Sequence, residues 1–268
     1  PLSQGKLFWM NNGASWYNDY TTYRTQSMRT IANEFAGIIP LELFTYANYP
    51  QNEEGAMKYN VHNSLLAGHG FWGNLALMSR EERKWVGRQV QKSKRVLPFL
   101  VNIRPEVIGK VGDSPEIYTL MNQEKGAGQI IAFSEKPVQK EHTVAINPQN
   151  MLGMLNHPFS VEGNQLIVPL HFEKEESSKA LFIIPNGESK VSMIASSSAI
   201  TDLTMEKNHL LYQSLTPGNQ VIRWSKDLGE PRVYSKNKFS FKIREQDQNR
   251  IIEITTEEKN ASVAVEPS

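Results

Sequence analysis

The sequence has no cysteine and almost no net charge, and each of these absences excludes a class of protein. Without cysteine there is no disulfide framework, no thiolate metal site and no cysteine nucleophile, although the compartment stays open. The 29 Lys and Arg residues nearly balance the 28 Asp and Glu residues, which gives a net charge of +1. This balance argues against nucleic acid or another polyanion as a partner.

Long apolar segments are missing as well. The longest apolar runs are short, as at residues 38–41, and fall far below the roughly 20 residues that a membrane-spanning helix needs. We therefore expect no membrane partner. No signal peptide is visible, and the chain begins with Pro1 rather than Met. The missing initiator Met favours a piece of a longer protein.

Sequence patterns for metal and phosphate chemistry are also lacking. No two of the six histidines have a zinc-type spacing with a carboxylate beside them. The chain contains neither a phosphate-binding G-x-x-x-x-G-K-[ST] motif nor a G-x-S-x-G nucleophile elbow. The sequence therefore predicts neither a metal site nor a cofactor.

The composition is that of a folded protein with two parts of different character. The length of 268 residues allows one large domain or two ordinary ones. Hydrophobic residues make up 39% and charged residues 21%, which is enough apolar side chain for a core. The aromatic residues are unevenly spread, because residues 1–100 hold 15 of the 25 Phe, Trp and Tyr. We therefore expect the first hundred residues to differ in architecture from the rest.

Strand patterns alternate with helix patterns through the first hundred residues. Short apolar runs predict strands at 6–10, 38–44 and 71–77. Apolar residues spaced as on one face of a helix occur within 28–35 and 57–65. Ser79 and Glu82 have the spacing of a capping box, which predicts a third helix that begins there and ends near Pro98. Three strand–helix units in succession indicate a parallel sheet.

Two architectures are compatible with three such units. One is a small three-layer α/β domain. The other is the last three units of an eight-stranded (β/α)8 barrel, which we favour because three strands in an open sheet would leave long bare edges. We assign residues 1–104 to this barrel part.

The remaining residues, 105–268, have the pattern of an antiparallel β-sandwich. Short segments rich in Ile and Val are separated by Pro, Asn and Gly at regular intervals. The clearest of these predicted strands are 128–133, 165–172, 180–185, 191–195, 210–214, 221–224, 239–243 and 251–255. Only 147–155 has a weakly helical pattern. The predicted fold class is thus α/β followed by all-β.

Candidate ligand-binding residues follow the predicted strands of the first part. In α/β barrels such residues come from loops at the carboxyl ends of the strands. The polar and aromatic candidates in these loops are Asn11, Asn12, Trp16, Tyr46, Asn48 and Trp72. Carboxamides next to aromatic rings suit a sugar, because the rings stack on its C–H faces while the amides bond its hydroxyls. The same residue types also serve in ordinary turns and packing.

Asp19 is the candidate acid of this part of the chain. It is the only carboxylate in the first 33 residues and lies in the most aromatic loop. Next to an apolar wall, an aspartic acid gains the raised pKa that a general acid needs. The alternative is an N-cap for a helix that begins near Thr21, and the residues alone favour the cap.

Several segments in order resemble the C-terminal portion of melibiase-type glycoside hydrolases, the α-galactosidase and α-N-acetylgalactosaminidase group. The resemblance covers roughly residues 8–135. Trp16-Tyr17-Asn18-Asp19 is similar to the family's Trp-x-Ser-Asp, and the segment 67–75 is similar to its Gly-x-Phe-Gly-x-x-Leu strand. The segment 77–82 and the helix after it resemble the end of the family's barrel, and 112–118 resembles the start of its β-sandwich.

The resemblance implies a retaining exo-glycosidase with a carbohydrate substrate and two catalytic aspartates. Asp19 matches the family's acid/base, while the nucleophile is expected in the N-terminal remainder of the same enzyme. The sugar pocket would then be shaped by Asn11, Asn12, Trp16, Arg24, Tyr46, Asn48 and Trp72. Enzymes of this kind are often exported, so a periplasmic or secreted location is expected. The alternatives are a non-catalytic carbohydrate-binding or structural protein, and a glycosidase for another sugar.

Overall fold

A computed structural model describes most of the chain after residue 75 and parts of the chain before it. The described residues are 8–9, 29–30, 33–35, 38–39, 41, 44–48, 57–66, 68–71, 75–174, 177–187 and 189–268. Residue contacts divide the chain into two compact units. The first comprises Pro1–Leu120, Gln129–Val138 and His171–Ala180, and the second comprises Met121–Gly128, Gln139–Leu170 and Leu181–Ser268.

Three parallel strands with intervening helices form the beginning of the first unit. The strands β1 (Phe8–Trp9), β2 (Phe44–Asn48) and β3 (Gly68–Phe71) pair in the order β1-β2-β3. Helix α1 (Met57–Ser64) connects β2 to β3, and α2 (Arg80–Val96) follows β3. Helical residues 29–30 and 33–35 lie between β1 and β2. Parallel strands require such crossover connections, and the alternation agrees with the sequence pattern.

Two of the predicted strands begin or end at other residues than expected. The apolar residues Ile38 and Ile39 lie in a turn, where both backbone N–H groups donate to the carbonyl of Phe35 at 2.8 Å. Pro40 cannot donate to a strand ladder, and β2 starts only at Phe44. Similarly, β3 ends at Phe71, and Leu75–Leu77 form a 3-10 turn instead of a strand.

Helix α2 begins with the predicted capping box. The Ser79 hydroxyl accepts from the Glu82 backbone N–H at 3.1 Å, while a Glu82 carboxylate oxygen accepts from the Ser79 backbone N–H at 2.7 Å. The helix ends in a 3-10 turn at Leu97–Phe99. Its buried residues are Gln89, Lys92, Ser93 and Val96. Two apolar residues of this helix, Val86 and Val90, are only half-buried.

From residue 106 onward the described structure is mostly antiparallel β-sheet, as the sequence predicts for this part. The strands are β4 (Glu106–Ile108), β5 (Glu116–Asn122), β6 (Ala127–Phe133), β7 (Val138–Ala145), β8 (Met151–Leu155), β9 (Phe159–Glu162), β10 (Gln165–Phe172), β11 (Ser178–Pro185), β12 (Val191–Ser196), β13 (Ile200–Glu206), β14 (His209–Ser214), β15 (Gly218–Ser225), β16 (Pro231–Ser235), β17 (Phe239–Gln246), β18 (Asn249–Thr256) and β19 (Ala261–Pro267). A 3-10 turn at Lys226–Leu228 follows β15.

These strands form three sheets. A seven-stranded sheet has the order β17-β18-β15-β12-β9-β10-β7, a five-stranded sheet the order β4-β5-β6-β11-β8, and a four-stranded sheet the order β13-β14-β19-β16. Strand β10 alternates buried and exposed side chains, as a strand with one solvent-facing side does. Strands β6 and β8 are buried along their whole length. Fully buried side chains of the core include Trp224, Phe172 and Phe182.

The weak helical prediction for residues 147–155 is wrong. Residues 148–150 form a turn, and Met151–Leu155 form β8, which pairs antiparallel with β11. All five residues of β8 are buried. A strand buried on both faces has no period-two pattern, so its short apolar run cannot be told from a buried helix segment by periodicity.

Candidate functional site

The carboxyl ends of the three parallel strands lie at one edge of their sheet. Strand β1 ends at Trp9, β2 at Asn48 and β3 at Phe71. Within this sheet Tyr46 is in register with His69, and Asn48 with Phe71. The segments that leave this edge therefore follow residues 9, 48 and 71, which is where the sequence predicts the sugar-binding loops.

The predicted site residues divide into two groups. Tyr46 and Asn48 are predicted in the loop after the second strand but lie in the strand itself, because β2 ends only at Asn48. The others lie outside the described residues: Asn11, Asn12, Trp16, Asp19, Arg24 and Trp72. Their roles remain predictions. That their side chains lie close together at this edge is also a prediction.

Arg29 and Glu116 form the centre of a buried polar cluster in the first unit, which the sequence pattern does not predict. Their side chains are 1% and 0% exposed. Arg29 Nε donates to Glu116 Oε1 at 2.7 Å, and Arg29 Nη2 donates to Oε2 at 3.0 Å. Oε2 also accepts from the Gly112 backbone N–H at 2.9 Å, and Oε1 accepts from the Tyr118 hydroxyl. These four donors match the acceptor capacity of a carboxylate.

The rest of the Arg29 guanidinium is held just as closely. Nη1 donates to Asn63 Oδ1 at 3.1 Å and Nη2 to the Tyr59 hydroxyl at 2.8 Å, both on α1. The guanidinium carbon lies 4.0 Å from the centre of the Phe133 ring, within cation–π distance. The cluster thus connects a helical turn, α1 and β5 through charge-assisted hydrogen bonds.

The electrostatics of this cluster are those of a structural ion pair. Burial by itself lowers the pKa of Arg29, but the hydrogen bond to Glu116 and nearby groups raise it above its ordinary value. Burial first, and then the charge of Glu116, raise the pKa of Tyr118. Both groups therefore keep their protons at neutral pH. With its oxygens occupied, Glu116 is not available to a substrate as acid, base or nucleophile.

Sequence reasoning missed this cluster because no local pattern marks it. Arg29 lies beside the apolar stripe of its predicted helix, and Glu116 lies 87 residues away in a segment noted only for its resemblance to the start of a sandwich. The available signal was Glu116 next to Ile117 at the start of an apolar segment, where a carboxylate needs a partner.

His62 is a second buried titratable group, on α1. Its Nδ1 lies 2.9 Å from the Ser178 hydroxyl, and its ring centre lies 5.5 Å from that of Trp85. Burial, and then the charges of Lys58 and Lys179, lower the pKa of His62 to about 3. The imidazole is therefore neutral at physiological pH. Among the residues that the structure describes, no three His, Asp or Glu side chains are grouped as metal ligands would be.

A shallow depression on the four-stranded sheet carries an exposed aromatic side chain. Thr204, Leu211, Ala264 and Tyr234 face one another across β13, β14, β19 and β16. Tyr234 is 46% exposed and Leu211 40%. The depression encloses about 560 Å³, and its polar lining includes Asp202, Gln213 and Lys236. A half-exposed ring flanked by an amide and charged groups can stack on a sugar ring and bond its hydroxyls.

Comparison with known proteins gives similarities in fold only. No family model and no curated protein matches the chain. The galactosidase domain of the α-galactosidase–sucrose kinase AgaSK is similar at 14% identity and a TM-score of 0.45, over 63% of this chain and 25% of that one. The family 36 α-galactosidase AgaA from Geobacillus stearothermophilus, a variant in complex with raffinose, is similar at 9% identity with the same TM-score and the same coverages. The chain thus spans about a quarter of the length of each.

Within the described part of the chain, no helix combines the length and the apolar character that crossing a membrane requires.

Proposed function

We propose that this chain is the C-terminal part of a retaining exo-glycoside hydrolase of the α-galactosidase type. Residues 1–104 would supply the last three strand–helix units of a (β/α)8 barrel, and residues 105–268 the antiparallel β domain. The observation that carries the proposal is the parallel order β1-β2-β3, since Trp16-Tyr17-Asn18-Asp19 follows the carboxyl end of β1. In α/β barrels catalytic residues come from this edge of the sheet.

Asp19 would act as the general acid/base of a two-carboxylate mechanism. In retaining enzymes one carboxylate attacks the anomeric carbon, and the other first protonates the leaving oxygen and then deprotonates water, with about 5–5.5 Å between them. The nucleophile would come from the N-terminal remainder of the same enzyme. Asn11, Asn12, Trp16, Arg24, Tyr46, Asn48 and Trp72 would shape the sugar pocket. No step of this mechanism requires a metal or cofactor.

Replacement of Asp19 in the full-length polypeptide tests this role. Asp19→Ala should lower turnover of a galactoside with a poor leaving group by about 10²–10⁴-fold, the usual contribution of a general acid. The first step on an aryl galactoside with a good leaving group should be much less affected, since that group departs without protonation. The matched control is Glu34→Gln, which neutralises an exposed carboxylate between β1 and β2. Near-normal turnover by Asp19→Ala would remove the assignment.

A non-catalytic carbohydrate-binding protein is the second candidate, and the exposed ring of Tyr234 favours it. In this case galactose or N-acetylgalactosamine would bind without being hydrolysed, and Tyr234→Ala would weaken binding while Asp19→Ala would not. Glycoside turnover that depends on Asp19 would overturn this alternative. For either function we propose a periplasmic or secreted location, where glycans are available.

A further inference from the structure

A second cleft lies on the outer face of the seven-stranded sheet. It has a volume of about 250 Å³, and Arg223, Asp247 and Ile251 are among the residues that line it. Arg223 on β15 is in register with Ser192 on β12 and with Ile251 on β18, so these three residues share one face of the sheet. The turn between β17 and β18, which contains Asp247, borders the cleft.

Arg223 is fixed in this cleft by only one of its nitrogens. Nη2 donates to the Pro148 carbonyl at 2.5 Å and to the Ser192 hydroxyl at 3.1 Å. In the described part of the chain, neither Nε nor Nη1 has a hydrogen-bond partner, and no carboxylate pairs with the guanidinium. Half-burial lowers the pKa of Arg223, although the group remains charged. A half-buried cation with three free N–H donors is arranged to receive an anion.

Other residues that line the cleft offer acceptors and amides. Gln246 and Asn249 pair at the end of the β17–β18 hairpin, and Asp247 lies in its turn with a φ of 49°. The side chains of these three residues make no hydrogen bond or ion pair with any residue that the structure describes. Asp247 and Arg223 line the same cleft without pairing, so a ligand in the cleft can meet both a cation and a carboxylate.

The remaining surface of the cleft is apolar, with contributions from Val161, Ile194 and Ile251. A ligand that fits must therefore combine an anionic group, hydroxyl donors and an apolar face. A sugar ring that bears a carboxylate has all three. The volume of about 250 Å³ lies just below the roughly 300–1,000 Å³ of pockets for drug-sized ligands, which suits one ring rather than a chain of rings.

We propose that this cleft binds a single sugar acid, with its carboxylate on the Nε and Nη1 edge of Arg223 and its hydroxyls toward Asp247 and the adjacent amides. This inference goes beyond the proposed hydrolase, whose galactoside substrate has no carboxylate. It is also independent of Asp19, because the cleft consists of residues of the second unit alone. If the hydrolase assignment proves wrong, the proposed sugar-acid site is unaffected.

Titration of the full chain with galacturonate and with galactose tests the proposal. Galacturonate should bind saturably, and galactose at least tenfold more weakly, since hydrogen bonds to a charged group are among the strong ones. Arg223→Lys should lower the affinity for galacturonate at least tenfold, because the Nε and Nη1 donors are lost while the positive charge stays. Asp247→Asn should lower the affinity for galacturonate several-fold. It should not affect folding, because Asp247 lies in an exposed turn. A trigalacturonate that binds no better than the monomer would confirm a site for a single ring.

The matched control is Arg244→Gln. Arg244 lies on the same face of the sheet, in register with Ile251, and pairs with Glu253 at 3.1 Å. Its replacement should leave galacturonate binding unchanged. An equal loss in Arg244→Gln, or equal affinity for galactose and galacturonate, would overturn the proposal. Inorganic phosphate that binds as tightly as galacturonate, with no effect of Asp247→Asn, would also overturn it and indicate a simple anion site.

Discussion

Arg29 and Glu116, 87 residues apart, form a fully buried ion pair with two hydrogen bonds, of 2.7 and 3.0 Å. Arg29 lies in a helical turn that precedes β2, and Glu116 is the first residue of β5. The pair therefore joins the strand–helix part of the first unit to its antiparallel part. Because both side chains are dehydrated, each depends on the other for its hydrogen bonds.

Glu116→Gln is expected to destabilise the protein strongly. The substitution keeps the shape of the side chain but leaves the Arg29 charge buried without a counter-ion, which costs about 3–5 kcal/mol in such pairs. Urea unfolding at pH 7 measures the free energy of unfolding. Asp227→Asn is the control, since it breaks the exposed ion pair of Lys190 and Asp227 and should change stability little. Equal small effects of the two variants would show that the buried pair is not structural.

The stability of the protein should fall between pH 7 and pH 5 through His62. Its pKa is about 3 in the folded protein and about 6.5 when unfolded. Below pH 6.5 the unfolded chain therefore binds a proton that the folded protein does not, and folding loses free energy as the pH falls. From pH 6.5 to pH 5 this loss amounts to about 2 kcal/mol.

Replacement of His62 isolates this contribution from those of other groups. His62→Gln should reduce the difference between the unfolding free energies at pH 7 and pH 5 by about 2 kcal/mol, whatever its effect at pH 7. A His62→Gln variant with the pH dependence of the parent protein would contradict the prediction.

The sequence predicts the position of a strand well where only one face is buried. It fails where contacts with other segments determine the secondary structure. The segment predicted at 165–172 coincides with β10, whose alternation is visible in its side chains. Met151–Leu155 is assigned wrongly because its Met and Leu residues favour a helix, whereas the equally buried β6 contains the β-branched Ile130 and Ile131. Ile38 and Ile39 are assigned wrongly because their backbone N–H groups donate to the Phe35 carbonyl in a turn. In both cases the secondary structure is determined by backbone hydrogen bonds, which hydrophobic periodicity does not describe.

Prediction of the candidate sites from the sequence is limited in the same way. The catalytic prediction rests on a local motif, Trp16 to Asp19, which a sequence displays directly. The Arg29–Glu116 pair depends instead on a contact between a helical turn and β5. The cleft at Arg223 depends on strand register, since Ser192, Arg223 and Ile251 become neighbours only when β12, β15 and β18 pair. Residues far apart in sequence form these sites only when the chain folds and the strands pair. The sequence pattern does not show which strands pair or in which register.

Ser79→Ala should destabilise α2 because it removes the N-cap hydroxyl. The Glu82 backbone N–H would then lose its acceptor, and N-cap losses of this kind cost about 1 kcal/mol. Ser79→Asp keeps an acceptor at the N-cap and should stay close to the parent protein. Urea unfolding compares the three proteins. Equal stability of Ser79→Ala and Ser79→Asp would show that the cap contributes nothing to global stability.

Gly126→Ala should destabilise the protein for two separable reasons. Gly126 has a φ of +66°, and an added Cβ would lie 2.1 Å from the Asn150 carbonyl oxygen, so the backbone itself would have to move. Gly187 has a φ of +58° but nothing within 4 Å of its Cβ position. Gly187→Ala therefore carries only the left-handed strain, of the order of 1 kcal/mol. The excess loss in Gly126→Ala measures the close approach of residues 126 and 150, and equal losses would show that no such approach exists in solution.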